Sequence, residues 1–316
     1  MYKLQFRCYQ RSFLKPLTTH HGTWKIREGI IIQLQDQKGR SGWGEIAPIP
    51  WFNTETLADA VQLCQQLGTT VRDEDIKQIP NTFPASQFAF ATAVTSLAIT
   101  QPPPQLPIAA LLPTGSAALA AWSEPWQQGK RTFKWKIAVD SLEREIKLFE
   151  QLLAALPPTA KLRLDANGGL TPKTAQTWLN CLETTKKVEF LEQPLPPAEF
   201  ETMRQLQAQY TTPLALDESV TTIAQLQDCY HRGWRGIFIV KIAIAGFPQR
   251  LRQFCQNHSL NLVFSSVFET EIARNAAFHL AAELASPQYA LGFGTEDWLE
   301  EYSPKKSTPP KESAFF

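Results

Sequence analysis

Short apolar runs in this chain end on charged residues at nearly regular intervals. Phe133-Lys-Trp-Lys-Ile137 carries Lys134 and Lys136, and Leu162-Arg-Leu-Asp165 ends on Asp165. Val188-Glu-Phe-Leu-Glu192, Leu214-Ala-Leu-Asp217 and Ile237-Phe-Ile-Val-Lys241 end on Glu192, Asp217 and Lys241. From Lys136 onward the steps are 29, 27, 25 and 24 residues, each the length of a strand plus a helix. Further strand-like runs at 108–112, 260–265 and 289–293 bring the number to eight. Helix-period segments fall between them, at 142–156, 174–183, 198–209, 223–232 and 269–284. This alternation predicts an α/β unit with a parallel sheet, and eight strands are enough to close a barrel. A barrel gathers the carboxyl ends of its strands on one face, where barrel enzymes place their active sites.

The first hundred residues follow another pattern. Strand-like alternation at 3–10, a β-branched run at 29–35, a turn at Gln37-Lys-Gly39 and a third run at 42–46 predict an antiparallel meander. Helical patterning follows at 56–67 and 85–99. Gln101-Pro-Pro-Pro104 cannot continue a helix and marks a boundary. The expected division is an α+β unit over 1–104, the barrel over 105–295 and a tail over 296–316. The segment 303–316, rich in proline, lysine and serine, is expected to be loosely ordered or folded back on the first unit.

Composition narrows the function classes. A hydrophobic share of 43%, a charged share of 19% and a net charge of +1 are those of an ordinary globular protein. The signs are well mixed, so neither nucleic acid nor an anionic membrane surface is an expected partner. Five scattered cysteines, no apolar stretch long enough to span a bilayer and no signal-like N-terminus lead to the expectation of a cytoplasmic protein.

Three carboxylates at neighbouring strand ends repel one another unless a cation joins them. Asp165, Glu192 and Asp217 therefore read as a hard-oxygen site for Mg²⁺, with Mn²⁺ able to substitute. The alternative is that they are helix N-caps. Lys134 and Lys136, two apart on one strand, point the same way, and Lys241 stands four strands on, across the barrel. Crowding of two ammonium groups and partial burial would let one serve as a base. In the alternative arrangement the two lysines face outward and Trp135 faces in. A lysine base beside a divalent cation suits removal of a weakly acidic proton next to a carboxylate.

With Gly42-Trp-Gly-Glu-Ile-Ala-Pro48, Arg163-Leu-Asp-Ala-Asn167, Glu192-Gln-Pro194, Leu216-Asp-Glu-Ser219 and Ser265-Ser-Val-Phe-Glu-Thr270, the chain resembles the enolase superfamily, in its muconate-lactonising subgroup. The resemblance implies a (β/α)7β modified TIM barrel with an N-terminal capping domain. It implies Lys136 as the base, Lys134 as its tuning neighbour and Lys241 as the opposing cation. Mg²⁺ would lie on Asp165, Glu192 and Asp217, with Asn167 and Glu218 orienting the ligands from behind. Arg163, the short chain and Ile244, three beyond Lys241, resemble the branch that dehydrates 2-succinyl-6-hydroxy-2,4-cyclohexadiene-1-carboxylate to o-succinylbenzoate. Epimerases and cycloisomerases of the superfamily remain alternatives, as does a non-catalytic barrel. Histidine-base relatives are disfavoured, since none of the five histidines ends a strand-like run.

The expected partner is a small carboxylate substrate, and oligomeric state is left open. Two segments of the capping unit, 17–23 and 48–53, resemble loops that close over the site in this superfamily. Trp51 and Phe52 in the second either screen the substrate or pack between domains. Arg163 either binds substrate or forms a structural ion pair. Ser265, Ser266 and Gly292 either donate hydrogen bonds to the substrate or leave room for it.

Overall fold

A computed structural model describes residues 1–19, 22–295 and 298–299. The expectation for the tail over 303–316 falls outside the described residues.

The N-terminal unit is a four-stranded antiparallel sheet of β1 (Tyr2–Thr19), β2 (Gly22–Gln35), β3 (Ser41–Ile46) and β4 (Thr70–Val71), in the order β3-β2-β1-β4. Three helices, α1 (Leu57–Leu67), α2 (Asp73–Lys77) and α3 (Pro84–Ser96), accompany it. The two long strands outrun the predicted runs at 3–10 and 29–35. Cross-strand pairing continues through Gln10–Glu28, Arg11–Arg27 and Ser12–Ile26 to Thr19–Gly22. Backbone pairing there persists where apolar alternation has stopped, so residues 17–19 and 22–23 are strand.

Two glycines fix how α3 lies on β3. A Cβ on Gly42 or Gly44 would stand 2.0 Å from the carbonyl oxygens of Ala93 and Ala89. Only glycine permits that approach, which explains the spacing in Gly42-Trp-Gly44.

The barrel strands are β5 (Ala110–Leu111), β6 (Thr132–Lys136), β7 (Lys161–Asp165), β8 (Val188–Glu192), β9 (Leu214–Leu216), β10 (Ile237–Val240) and β11 (Asn261–Phe264). They form one parallel sheet in sequential order. Helices α4 (Ala118–Ala121), α5 (Ser123–Gln127), α6 (Leu142–Ala155), α7 (Pro172–Leu182), α8 (Phe200–Gln209), α9 (Ile223–His231), α10 (Pro248–Asn257) and α11 (Glu271–Leu284) follow the strands.

The predicted eighth strand is reduced to isolated bridges that close the ring. Leu291 pairs with Ile108 and Gly292 with Ser265, both in parallel. Ala109 N donates to Leu291 O at 2.8 Å and Gly292 N to Phe264 O at 2.8 Å. The barrel interior is packed with Phe190, Ala215, Ile237, Ile239 and Val263, with Tyr289 against them. The larger apolar core lies between sheet and helices and includes Trp135, Phe149, Trp178 and Trp234.

Candidate active site

Strand register brings the charged residues to one end of the barrel. Lys136 pairs with Asp165 and Asp165 with Glu192 across β6, β7 and β8. Glu192 pairs with Ala215, two residues before Asp217. Trp135 is buried in the outer core while Lys134 and Lys136 point inward and stay partly accessible. This is the inward arrangement of the two lysines.

The ammonium of Lys134 lies 2.8 Å from both Asp165 Oδ2 and Glu192 Oε1. Lys136 Nζ donates to Asn167 Oδ1 and stands 3.8 Å from Asp165 Oδ2. Lys241 Nζ donates to Asp217 Oδ1 and sits 4.4 Å from the centre of the Phe52 ring. Asn167 Nδ2 in turn donates to Glu218 Oε1 at 3.0 Å. The network therefore runs from Lys136 through Asn167 to Glu218.

Burial of so much charge leaves clear electrostatic marks. Burial and the charge of Asp165 push Glu192 up to about 8, against the pull of Lys134. Burial and Asp217 push Glu218 up to about 7. At Asp165 burial also acts to raise the pKa, but Lys134 and Lys136 outweigh it and hold the group at about 2. Lys134 is raised, because Asp165, Glu192 and Asp217 outweigh the cost of burying its charge.

The donor set suits a hard divalent cation. It offers three carboxylates, Asp165, Glu192 and Asp217, each at most 4% exposed, and among the described residues the buried Glu218 Oε2 has no hydrogen-bond partner. Among the described residues no three acidic, histidine or cysteine groups form a ready-made cluster. The ammonium of Lys134 stands between Asp165 and Glu192 instead, and that of Lys241 is bonded to Asp217. A bound cation would have to take over from Lys134 the neutralisation of Asp165 and Glu192.

Several of the residues expected near the substrate have protein partners. Arg163 is 2% exposed, with Nε donating to Glu189 Oε2 at 2.7 Å and its guanidinium 4.8 Å from the centre of the Phe190 ring. It belongs to a buried ion pair one layer below the carboxylates. A bulge makes that pair possible: Leu162 pairs with Val188 and Arg163 with Phe190, so Glu189 is the extra residue.

Ser266 Oγ donates to Glu269, and Ser266 N donates to Gly292 O at 3.0 Å. Gly292 N is bonded to Phe264 O, and Ser265 N to Val240 O. These bonds help close the barrel and occupy the Ser266 hydroxyl and the backbone N–H groups of Ser265, Ser266 and Gly292. Only the Ser265 hydroxyl, with one long bond of 3.3 Å to Gly292 O, keeps capacity to spare.

Phe52 is the cap residue that reaches the charged site. Trp51 packs edge-on against Trp24, with ring centroids 5.0 Å apart, and Trp24 contacts Phe13 and Phe268. Arg27 holds the start of this cap segment by donating to the carbonyls of Ala47 and Pro48. The segment at 48–53 is thus fixed at the domain junction with Phe52 turned to Lys241.

The comparisons agree with this architecture. Residues 117–313 match the enolase C-terminal domain-like family, and residues 2–97 match the MenC N-terminal domain. An o-succinylbenzoate synthase of Thermosynechococcus vestitus is 45% identical over 299 residues, covering 93% of this chain and 92% of the relative. The chain belongs to the o-succinylbenzoate synthase branch of the enolase superfamily. A crystal structure of the synthase from Thermosynechococcus elongatus, complexed with Mg in its active site, superposes with a TM-score of 0.88 at 43% identity, covering 94% of each chain. The L-Ala-D/L-Glu epimerase of Bacillus subtilis shares the fold, with a TM-score of 0.79 at 21% identity over 93% of this chain and 89% of the epimerase.

Proposed function

We propose that this chain catalyses the Mg²⁺-dependent syn dehydration of 2-succinyl-6-hydroxy-2,4-cyclohexadiene-1-carboxylate to o-succinylbenzoate, a step of menaquinone or phylloquinone biosynthesis. The observation that carries the reading is 45% identity, across nearly the whole of both chains, to a protein of that activity. Asp165, Glu192 and Asp217 would hold the metal. When bound, it supplies positive charge to the substrate carboxylate as electron density builds there.

The chain's own residues supply the proton chemistry. Lys136 takes the proton next to the substrate carboxylate and, as its conjugate acid, helps hydroxide leave from the same face. Lys134 keeps its proton and directs Lys136. Lys241, bonded to Asp217 and covered by Phe52, remains cationic on the opposite face and steadies the developing negative charge. Asn167 orients Lys136 by accepting from its ammonium. Ile244, fully buried beyond Lys241, leaves that side of the site without an added cation.

Residues 1–104 act in this reading as the cap and 105–295 as the catalytic barrel. A cytoplasmic setting suits the five unpaired cysteines. Among the described residues no helix is long and apolar enough to cross a membrane.

The test is an ultraviolet assay of the purified protein with the cyclohexadiene substrate and Mg²⁺, beside an EDTA control. Metal-dependent loss of diene absorbance is expected. A folded, metal-binding protein without turnover would overturn the reading. Exchange of the α-proton of an N-acylamino acid or dipeptide would then identify an epimerase.

A further inference from the structure

Gln193 follows Glu192 directly and is fully buried. Its backbone adopts φ 35°, in the left-handed region that a non-glycine residue enters only when its surroundings hold it there. Those surroundings are three loops at the active end of the barrel. The Gln193 carbonyl accepts from Gly168 N at 2.7 Å, in the loop after Asp165, and Gln193 N donates to Ala215 O at 2.8 Å.

The side chain makes the more telling contacts. Gln193 Oε1 accepts from Asp217 N at 2.9 Å and from Ser219 N at 3.2 Å. Its Nε2 donates to Leu195 O and to Ser219 Oγ, both at 2.8 Å. One carboxamide thus meets both its acceptor and its donor needs across two loops. A β-strand would normally satisfy the Asp217 N–H, but β9 stops at Leu216. Gln193 supplies the missing acceptor where the chain turns out of the sheet. The direction in which the Asp217 carboxylate points follows from that backbone anchor.

We infer that Gln193 is a positioning residue, whose carboxamide locks the backbone of Asp217 and Ser219 and so sets the third carboxylate against the first two. The inference rests on the metal-site reading above and adds the element that assembles it. Gln193 touches neither Lys136 nor Lys241, so it acts through Asp217 and makes no contact with reacting atoms.

The test compares Mn²⁺ binding, read by the electron paramagnetic resonance of free Mn²⁺, in the unaltered protein and in Gln193→Met, Gln193→Asn and Gln193→Glu. Met removes every side-chain bond at similar length. Asn keeps the chemistry and tolerates the left-handed backbone, but is one methylene too short. Both should bind Mn²⁺ about tenfold more weakly, the usual scale for losing a partner behind a metal ligand. Glu retains the acceptor for Asp217 N and Ser219 N but loses both donor bonds, so its loss should be smaller than that of Met.

Amide hydrogen exchange at Asp217 and Ser219 should accelerate in the Met and Asn variants and not in Glu, with or without metal. Unchanged Mn²⁺ affinity in a folded Met or Asn variant would overturn the inference, and so would unchanged exchange at both amides. If the unaltered protein bound no Mn²⁺, the metal reading itself would fall, and the exchange data would still report whether the bridge exists.

Discussion

Glu45 and Thr270, separated by 225 positions in the chain, are joined by a buried carboxylate that reaches from the cap to the barrel. Thr270 N donates to Glu45 Oε1 at 2.9 Å and Thr270 Oγ1 to Oε2 at 2.5 Å. Ala273 N donates to the same carboxylate, and Tyr9 Oη donates from the cap side. Glu45 thereby caps α11 from another domain, with the helix N-terminus favouring its charge. Burial and the neighbouring Glu45 charge hold the Tyr9 phenol well above its usual range, so it keeps the proton it donates.

Replacing Glu45 by alanine should therefore destabilise the protein by about 3 kcal/mol, since several buried donors lose their acceptor together. Glu45→Gln, which keeps one oxygen, should lose less. Urea unfolding measures both. Equal losses for the two variants would mean that the carboxylate is not what latches the cap.

Arg163 tests the distinction between a structural ion pair and a substrate ligand. Arg163→Met leaves the Glu189 charge buried and unpaired, which should cost about 3–5 kcal/mol of stability. The double variant Arg163→Met with Glu189→Gln should recover much of that loss. A single variant as stable as the unaltered protein, but with a raised KM, would restore Arg163 to the substrate-binding set.

The sequence made the barrel end legible because each functional charge there closes its own apolar run, and one strand-helix unit separates it from the next. That periodicity placed Lys136, Asp165, Glu192, Asp217 and Lys241 together. For Ser266 and Gly292 the sequence leaves substrate bonding and simple room equally open, because a hydroxyl or an N–H in a small-residue turn looks free in sequence. Whether it is free depends on Glu269 and Phe264, whose approach only the closed barrel shows. Gln193 stood in plain view within Glu192-Gln-Pro194, and the early end of β9 gave it a task that no local pattern announces. Glu45 was equally visible in Gly42-Trp-Gly-Glu45, but its partner lies on another domain. The eighth strand was placed correctly along the chain, yet its pairing is too short to count as a strand.

Lys136→Ala should lower turnover by about a thousandfold, the middle of the range for a lost general base. The fold and Mn²⁺ binding should be nearly unchanged, since Lys136 approaches Asp165 only at 3.8 Å. Single-turnover measurements would separate chemistry from product release. Activity within tenfold of the unaltered protein would reassign the base to another residue.

Without metal, the carboxylate cluster should make the protein less stable as pH rises. Glu192 and Glu218 are raised to about 8 and about 7 in the folded state, above the ordinary carboxyl range that applies after unfolding. Between those limits the folded protein holds more protons than the unfolded chain, so its stability falls with increasing pH. Asp165 has the opposite sign, but at about 2 its effect lies at more acidic pH. The raised Lys134 loses its contribution only at strongly alkaline pH. In EDTA the melting temperature should therefore decline from about pH 5 to about pH 8. Excess Mg²⁺ on Asp165, Glu192 and Asp217 competes with the proton of Glu192 and, by its charge, disfavours that of Glu218, so it should flatten or reverse the decline. Differential scanning calorimetry at several pH values measures both curves. Parallel slopes with and without Mg²⁺ would mean that the ion does not bind where Glu192 and Glu218 titrate.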